Sequence, residues 1–303
     1  MKITIIGAGN VGASLAYALA LRQVCQEIVL IDIDETRLVA MDLELGQSIS
    51  ALNLDILLTC TSEYEPSANS DIVAFCAGFT RNEGQSRNEL FERNYRIMLD
   101  CAAKIKKFTP NPLFIVLTNP VDFLLNKLYE SGIFERKKLV ALGGMLDNAR
   151  FDYELCKKFG CASKDIDTRT LGFHNDDVVL LRSHARYKNR PIAELLGDED
   201  FEIIENEVKT GGAKIIKHLK TSAYLAPAAA CVRMIEAIRT GEFMVMSVIL
   251  NGEYGVRGKA FGVLARLNLQ GVGEILNLTL SDDEAEKLEH SLIKYEYKGK
   301  GAK

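Results

Sequence analysis

Near its start the chain passes from an apolar stretch into Gly7-Ala-Gly9-Asn-Val-Gly12 and then into a segment rich in alanine and leucine. Few patterns narrow a fold so sharply. The first glycine permits a tight turn after a strand, the second lets a pyrophosphate approach the backbone, and the third lets a helix pack closely on the strand. The helix that follows offers free N–H groups and the positive end of its dipole to a phosphate. By itself the spacing also describes an ordinary tight turn, so its surroundings decide. Ile3–Ile6 reads as a strand, Val11–Arg22 as a helix and Glu27–Ile31 as a β-branched strand ending at Asp32, 20 residues beyond Gly12. An acid there accepts hydrogen bonds from both ribose hydroxyls and repels a 2′-phosphate, which favours NAD over NADP. Gly7, Gly9, Asn10, Val11, Gly12 and Asp32 are therefore the candidate cofactor contacts at this end.

The alternation continues through the first half. Glu35–Ser48 has helical spacing, Asp55–Thr59 and Asp71–Cys76 are strand-like, Arg87–Phe108 is a long helix, and Leu113–Thr118 is a strand stopped by Asn119-Pro120. Val121–Tyr129 is helical and Lys138–Leu142 is a further strand. Strands alternating with helices predict a parallel sheet covered on both faces. Past Gly143-Gly144 the texture changes: Asp147–Phe159 and Glu202–Arg239 read as helices, while Thr168–Phe173, Asp177–His184 and Phe243–Leu250 read as strands joined by tight turns. Ser281–Tyr297 closes the chain as a charged amphipathic helix, followed by a frayed tail. The expected architecture is α/β, with a Rossmann doubly wound parallel sheet over residues 1–144. A separate α+β substrate-binding domain follows over 145–303.

The bulk composition fits this plan. The chain has 303 residues, 48% hydrophobic and 26% charged, enough for two domains with substantial cores. A net charge of −4 argues against a nucleic-acid or anionic-membrane surface. No apolar run reaches the ~18 residues of a membrane span. Lys2 and the apolar residues after it resemble a signal peptide superficially, but Gly7, Gly9 and Gly12 interrupt the apolar stretch. The seven cysteines form no C-x-x-C pair and read as reduced thiols, so a cytoplasmic protein is expected.

The chemistry-bearing residues lie elsewhere. Cys76–Arg87 reads CAGFTRNEGQSR, a polar segment with two guanidinium groups, Arg81 and Arg87, and with Gly78 and Gly84 to let it move. A guanidinium binds a carboxylate through two parallel hydrogen bonds, so the segment suggests an anionic substrate. Of the four histidines, His218 and His290 sit on charged helices, and His184 lies between Arg182 and Arg186. His174, in Leu-Gly-Phe-His-Asn-Asp-Asp, stands at a strand end beside a polar turn. Asp147 and Arg150 share a helix face at i and i+3. A carboxylate accepting from His174 would fix its tautomer and raise its proton affinity, while Arg150 could hold a substrate carboxylate. Spacing alone equally describes a structural histidine and a helix salt bridge. A metal held by His174, Asp176 and Asp177 finds no further ligand motif, so no metal is expected. Thr118-Asn119-Pro120 places an amide at the carboxyl end of a parallel strand, where ligands bind in open α/β sheets.

In this order and spacing, GAGNVG with Asp32, AGFTRNEGQSR, TNPVD, LDNARF, GFHNDD, SAYLAPAAA and NGEYG resemble the lactate/malate dehydrogenase family, essentially end to end. The resemblance implies hydride transfer between a nicotinamide ring and C2 of a 2-hydroxy acid. It implies His174 as the acid–base, Asp147 as its orienting partner and Arg150 as the holder of the C1 carboxylate. Arg87 would polarise the carbonyl from a closing loop. Asn119 would contact substrate and cofactor, with Asn94 and the Leu117, Thr118 and Asn119 backbone helping to hold the nucleotide. In this family the position of Arg81 separates substrates, arginine accompanying malate and glutamine lactate. SAYLAPAAA, with Ala223 in place of the lactate enzymes' threonine, is malate-type. The resemblance thus implies an NAD-dependent L-malate dehydrogenase forming a homodimer or homotetramer. Alternatives are an enzyme for lactate or another L-2-hydroxy acid, or a non-catalytic NAD sensor. Two departures stand out: the family usually has glycine after the histidine and Glu or Gly before it, whereas Asn175 and Phe173 stand here. The missing glycine could alter the backbone at His174, and Phe173 could narrow or desolvate the pocket.

Overall fold

The computed structural model describes residues 1–79 and 87–300, by backbone alone at 87–89 and 295–300. Its centre is a row of short strands rich in Ile, Val, Leu and Phe: β1 (Lys2–Ile6), β2 (Glu27–Ile31), β3 (Leu57–Thr61), β4 (Ile72–Phe75), β5 (Leu113–Val116) and β6 (Leu139–Ala141). Most of them lack polar alternation because helices cover both faces. These helices are α1 (Asn10–Arg22), α2 (Glu35–Ala51), α3 (Arg87–Phe108) and α4 (Val121–Glu130). The six strands are parallel in the order β3-β2-β1-β4-β5-β6. The chain leaves β1 toward β2 and returns to β1's other side at β4, so the order reverses at the β1/β4 boundary, where ligands bind in such sheets.

The second half begins with α5 (Gly143–Phe159) and the short strands β7 (Ile166–Asp167), β8 (Thr170–Leu171), β9 (Val179–Leu180), β10 (Arg186–Tyr187) and β11 (Arg190–Pro191). Then come α6 (Asp198–Leu219), α7 (Leu225–Thr240), β12 (Phe243–Asn251), β13 (Arg257–Asn268), β14 (Gly271–Leu276) and α8 (Asp282–Lys300). The expected single helix over 202–239 is two, because Lys220 takes a left-handed conformation at φ 58° and ends α6. The strands expected over 168–173 and 177–184 shrink to the two-residue pair β8–β9. The two halves share a sheet. β12 pairs antiparallel with β6, Ser247 opposite Ala141 and Val248 opposite Val140, and β13 and β14 extend one nine-stranded sheet. The exposed edge of β6 is closed in this way, and one apolar core runs from β1 and α1 through α7 to β13.

The last helix is tied down by a capping box read directly from Ser281-Asp-Asp-Glu284. Glu284 Oε2 accepts from Ser281 N at 2.9 Å, while Ser281 Oγ accepts from Glu284 N at 3.4 Å. The same carboxylate accepts from Ser183 N at 3.0 Å and from Ser183 Oγ at 2.7 Å, joining α8 to the segment after β9. Burial pushes the Glu284 carboxyl up, but these donors more than reverse this and hold it below its ordinary value of 4.5. The stability it contributes is therefore present above about pH 4.5 and lost as pH falls through its lower, folded-state pKa. Glu284→Gln is expected to lower the unfolding free energy by about 1–3 kcal/mol at pH 7. Urea unfolding followed by tyrosine fluorescence should show the gap closing in acid; a gap independent of pH would exclude the carboxylate as its source.

Candidate active site

Two groups of residues converge on the carboxyl ends of β1, β4, β5 and β6. In the first, Gly7 has φ +104°, and a Cβ there would stand 2.6 Å from Ala77 N. A Cβ on Gly12 would stand 1.8 Å from Gly7 O, so only glycine lets α1 start this close to the strand. A Cβ on Gly9 meets nothing within 4 Å. Gly9 is the N-cap of α1 and supplies no side-chain cap, so the first N–H groups of the helix are left without a capping side chain. Asp32 follows β2 and points back at this turn: Oδ2 accepts from Ala8 N at 2.6 Å and Oδ1 from Asp34 N at 3.0 Å. A carboxylate has about four acceptor directions, so it retains capacity for hydroxyl donors. An open, positively polarised helix end beside a fixed carboxylate matches the phosphates and ribose of NAD.

The chain after β4 and β5 frames the same crevice. Thr118 Oγ1 donates to Ala77 O at 2.8 Å. Asn94, fully buried on α3, accepts from Phe79 N at 2.8 Å and donates to Asn119 O at 3.1 Å and to Phe79 O at 3.2 Å. Its amide is directed at protein backbone, so it braces Phe79 and Asn119. Leu117 N donates to Phe75 O at 2.9 Å, which fixes the turn leading into Asn119-Pro120. Arg87 opens α3 and is described by its backbone alone, and Arg81 lies outside the described residues.

The second group is built on α5. His174 Nδ1 lies 2.7 Å from Asp147 Oδ2. A carboxylate only accepts, so Nδ1 carries the proton and the neutral ring presents Nε2 as an acceptor. Arg150 Nη1 lies 3.1 Å from the other oxygen, Asp147 Oδ1. Asp147 therefore joins the imidazole to the guanidinium, and all three candidates meet. Gly143, at the start of α5, makes room for the ring, since a Cβ there would stand 2.7 Å from His174 Cβ. Burial pulls the His174 pKa down, but the charge and hydrogen bond of Asp147, helped by Asp122, outweigh it, and the net shift is upward from 6.5. Arg150 opposes that rise.

Phe173 does not narrow this pocket. Its ring is buried edge-to-face on Phe261 of β13, with centroids 4.9 Å apart and planes at 89°. Strand-end alternation turns it into the core as His174 turns out. Asn175, at the position of the family's glycine, accepts from Asp177 N at 2.7 Å, and Lys294 of α8 holds Asp177 at 2.6 Å. Some contacts were not legible. Asp122 accepts from His174 N at 2.7 Å, and Gly211 and Gly212 of α6 stand against the Arg150 side chain. Asp122 lies within TNPVD, so that motif carried a signal, whereas nothing near residues 211–212 pointed to Arg150. Among the described residues no cluster of metal-ligating groups exists, and no helix is long and apolar enough to cross a membrane.

A dinucleotide cradle and a carboxylate-oriented histidine at the carboxyl edge of one sheet define a nicotinamide-dependent dehydrogenase. Residues 1–141 match the NAD binding domain of lactate/malate dehydrogenase, and residues 144–296 match its alpha/beta C-terminal domain. The chain belongs to the lactate/malate dehydrogenase family. It is 65% identical over 299 residues to a probable malate dehydrogenase of Campylobacter jejuni, covering 99% of this chain and 100% of that one. The fold is similar to that of the malate dehydrogenase of Salinibacter ruber, with TM-score 0.91, 29% identity and coverage of 97% and 95%. It is also similar to a lactate dehydrogenase of Cryptosporidium parvum complexed with lactic acid and nicotinamide adenine dinucleotide, with TM-score 0.94, 28% identity and coverage of 99% and 97%.

Proposed function

We propose that the chain catalyses the NAD-dependent, reversible interconversion of L-malate and oxaloacetate. The observation that carries this reading is the His174–Asp147–Arg150 constellation, in which one carboxylate orients both an acid–base and a carboxylate-binding cation. NAD, when bound, supplies the acceptor for the hydride leaving C2. His174 Nε2 takes the C2 hydroxyl proton during oxidation and returns it during reduction, with Asp147 stabilising the imidazolium between these steps. Arg150 holds the C1 carboxylate and fixes C2 beside the imidazole. Arg87 stabilises negative charge developing on the C2 oxygen, and Asn119 orients the substrate. Gly7, Gly9, Asn10, Val11 and Gly12 cradle the pyrophosphate, and Asp32 receives the ribose. Asn94 supports this nucleotide site by bracing Phe79 and Asn119. On this reading residues 1–144 hold the nucleotide and 145–303 carry most of the acid–base chemistry. A cytoplasmic homodimer or homotetramer fits the reduced cysteines and the family.

The choice of malate rests on Arg81 and on SAYLAPAAA. A substrate with a second carboxylate needs a second cation, and leaving a buried charge without its partner costs ~3–5 kcal/mol. The overall fold is compatible with either substrate. Steady-state rates on oxaloacetate, pyruvate and 2-oxo-isocaproate discriminate, with oxaloacetate expected to lead in kcat/KM. Arg81→Gln should cut the oxaloacetate-to-pyruvate ratio by about 10²-fold or more, in line with that energy. A wild-type enzyme preferring pyruvate would overturn the malate reading, and an unchanged ratio in the variant would remove Arg81 as the selector.

A further inference from the structure

The end of α5 remote from Asp147 and Arg150 carries a pair of thiols. The helix stops at Gly160, whose φ of 61° and ψ of 42° are left-handed, and Cys161 N then donates back to Cys156 O at 3.1 Å. A helix end closed in this way brings together the side chains of the first and last residues of the closure, ordinarily as an apolar contact. Here both are cysteines, and the Cys161 thiol donates to the Cys156 sulfur. Cys156 Sγ in turn donates to Ser163 Oγ at 3.8 Å. We propose that Cys156 and Cys161 form a surface dithiol that a small-molecule disulfide converts reversibly to an internal disulfide. Such a bond would be transient in a reducing compartment, as redox-responsive disulfides are.

Both thiols are partly exposed, whereas Cys25, Cys101 and Cys231 are buried. Burial pushes the Cys25 and Cys60 thiols up to about 11, Cys231 up to about 12 and Cys76 well above 9.0, so these hold their protons and react slowly. Cys76 and Cys231 also neighbour each other, but Cys231 is 0% exposed and closed to an incoming disulfide. Cys161 is raised too, first by burial and then by the Cys156 sulfur, with Lys188 opposing, which assigns the first attack to Cys156. Cys156, as thiolate, attacks one sulfur of RSSR, forming a mixed disulfide and releasing RS⁻. Cys161 then gives up its proton, attacks the Cys156 sulfur and expels the second RS⁻. Two thiols and one RSSR thus become one internal disulfide and two RSH, with no other oxidant consumed. The second attack is intramolecular, and Phe159, stacked on Tyr187 with centroids 4.6 Å apart, holds the turn between the two sulfurs. A metal role is less well served. Two thiolates fill half of a tetrahedral zinc shell, and no group of three ligating residues exists among the described residues.

The test exposes the native full-length chain to oxidised glutathione, quenches with an alkylating agent, and reads intact mass and the cysteine-containing peptides. Two of the seven thiols should disappear, the mass should fall by about 2 Da, and the peptides of Cys156 and Cys161 should be joined. Dithiothreitol should restore both thiols. Cys161→Ser keeps the attacking sulfur and loses the resolving one, so it should accumulate the glutathione mixed disulfide at Cys156 instead. Cys156→Ser should acquire glutathione at Cys161 more slowly. The rate of 2-oxo acid reduction should stay within about twofold in both variants, because Cys156 lies six residues, about 9 Å, along α5 from Arg150. A wild-type chain that carries glutathione without an internal bond overturns the proposal. So does a bond joining other cysteines, or a mass unchanged by the disulfide; the wild-type measurement decides all three, whether or not the variants fold.

Discussion

His174→Asn is expected to lower kcat for oxaloacetate reduction by about 10²–10⁴-fold, the range supplied by a positioned general acid. The reasoning begins with the ring's confinement. Nδ1 is committed to Asp147 at 2.7 Å, the backbone N–H to Asp122 at 2.7 Å, and the β-carbon sits where Gly143 has none. Only Nε2 remains to exchange a proton with substrate. Asparagine has about the right size but no group that gains a proton near neutral pH, so the step falls to water. NADH affinity should change less than threefold, because the residues around Gly7–Gly12 and Asp32 are untouched. The pH profile supplies an independent check. Reduction needs the imidazolium, so wild-type kcat/KM should hold below the raised His174 pKa and fall above it, at a pH higher than the ordinary 6.5. Oxidation of malate should show the mirror image. NADH absorbance measures the rates and NADH fluorescence the binding; a loss below tenfold, with binding intact, would place the acid–base elsewhere.

How much of this could be read from residues alone depends on the range of the interaction. The cradle at Gly7–Gly12 was legible because its requirements are local: a Cβ at Gly12 collides with Gly7, five residues away. The parallel strands β1, β2, β4 and β5 announced themselves as short apolar runs. By contrast β13 was not recognised, since Arg257–Asn268 carries Gly258 and Gly262 and becomes a strand by pairing with β12 on one side and β14 on the other. At Gly262 the glycine admits Gly172, a contact that no local pattern predicts. His174, Asp147 and Arg150 could be nominated by type, but 27 residues separate the histidine from its carboxylate, and the family resemblance joined them. The place of Phe173 was open for the same reason: its ring packs on Phe261, far along the chain. Asp122 was not singled out within TNPVD, because only the fold places His174 N against it.

Arg150→Met should lower kcat/KM for oxaloacetate by about 10²–10³-fold, mostly through KM, because it strips the partner from a largely desolvated carboxylate at a cost of ~3–5 kcal/mol. The Arg150 side chain is 22% exposed, and its Nη1 lies 3.1 Å from Asp147 Oδ1. Behind it α6 presents Gly211 and Gly212, and a Cβ at 212 would stand only 3.2 Å from Arg150 Nη2. The helix thus leaves a slot for the flat group, even though glycine inside a helix costs ~1 kcal/mol relative to alanine. Arg150→Lys should recover only part of the loss, since an ammonium cannot make two parallel bonds to one carboxylate. The substitution also reaches His174. Among the described residues Arg150 holds the His174 pKa down, so Arg150→Met should move the alkaline limb of reduction upward. Asp122→Asn should move the same limb downward. Opposite shifts from two residues flanking one imidazole would not follow from general damage to the pocket. A limb that moves the same way in both variants, or a KM for oxaloacetate within threefold of wild type in Arg150→Met, would mean that Arg150 serves Asp147 alone and that another cation receives the C1 carboxylate.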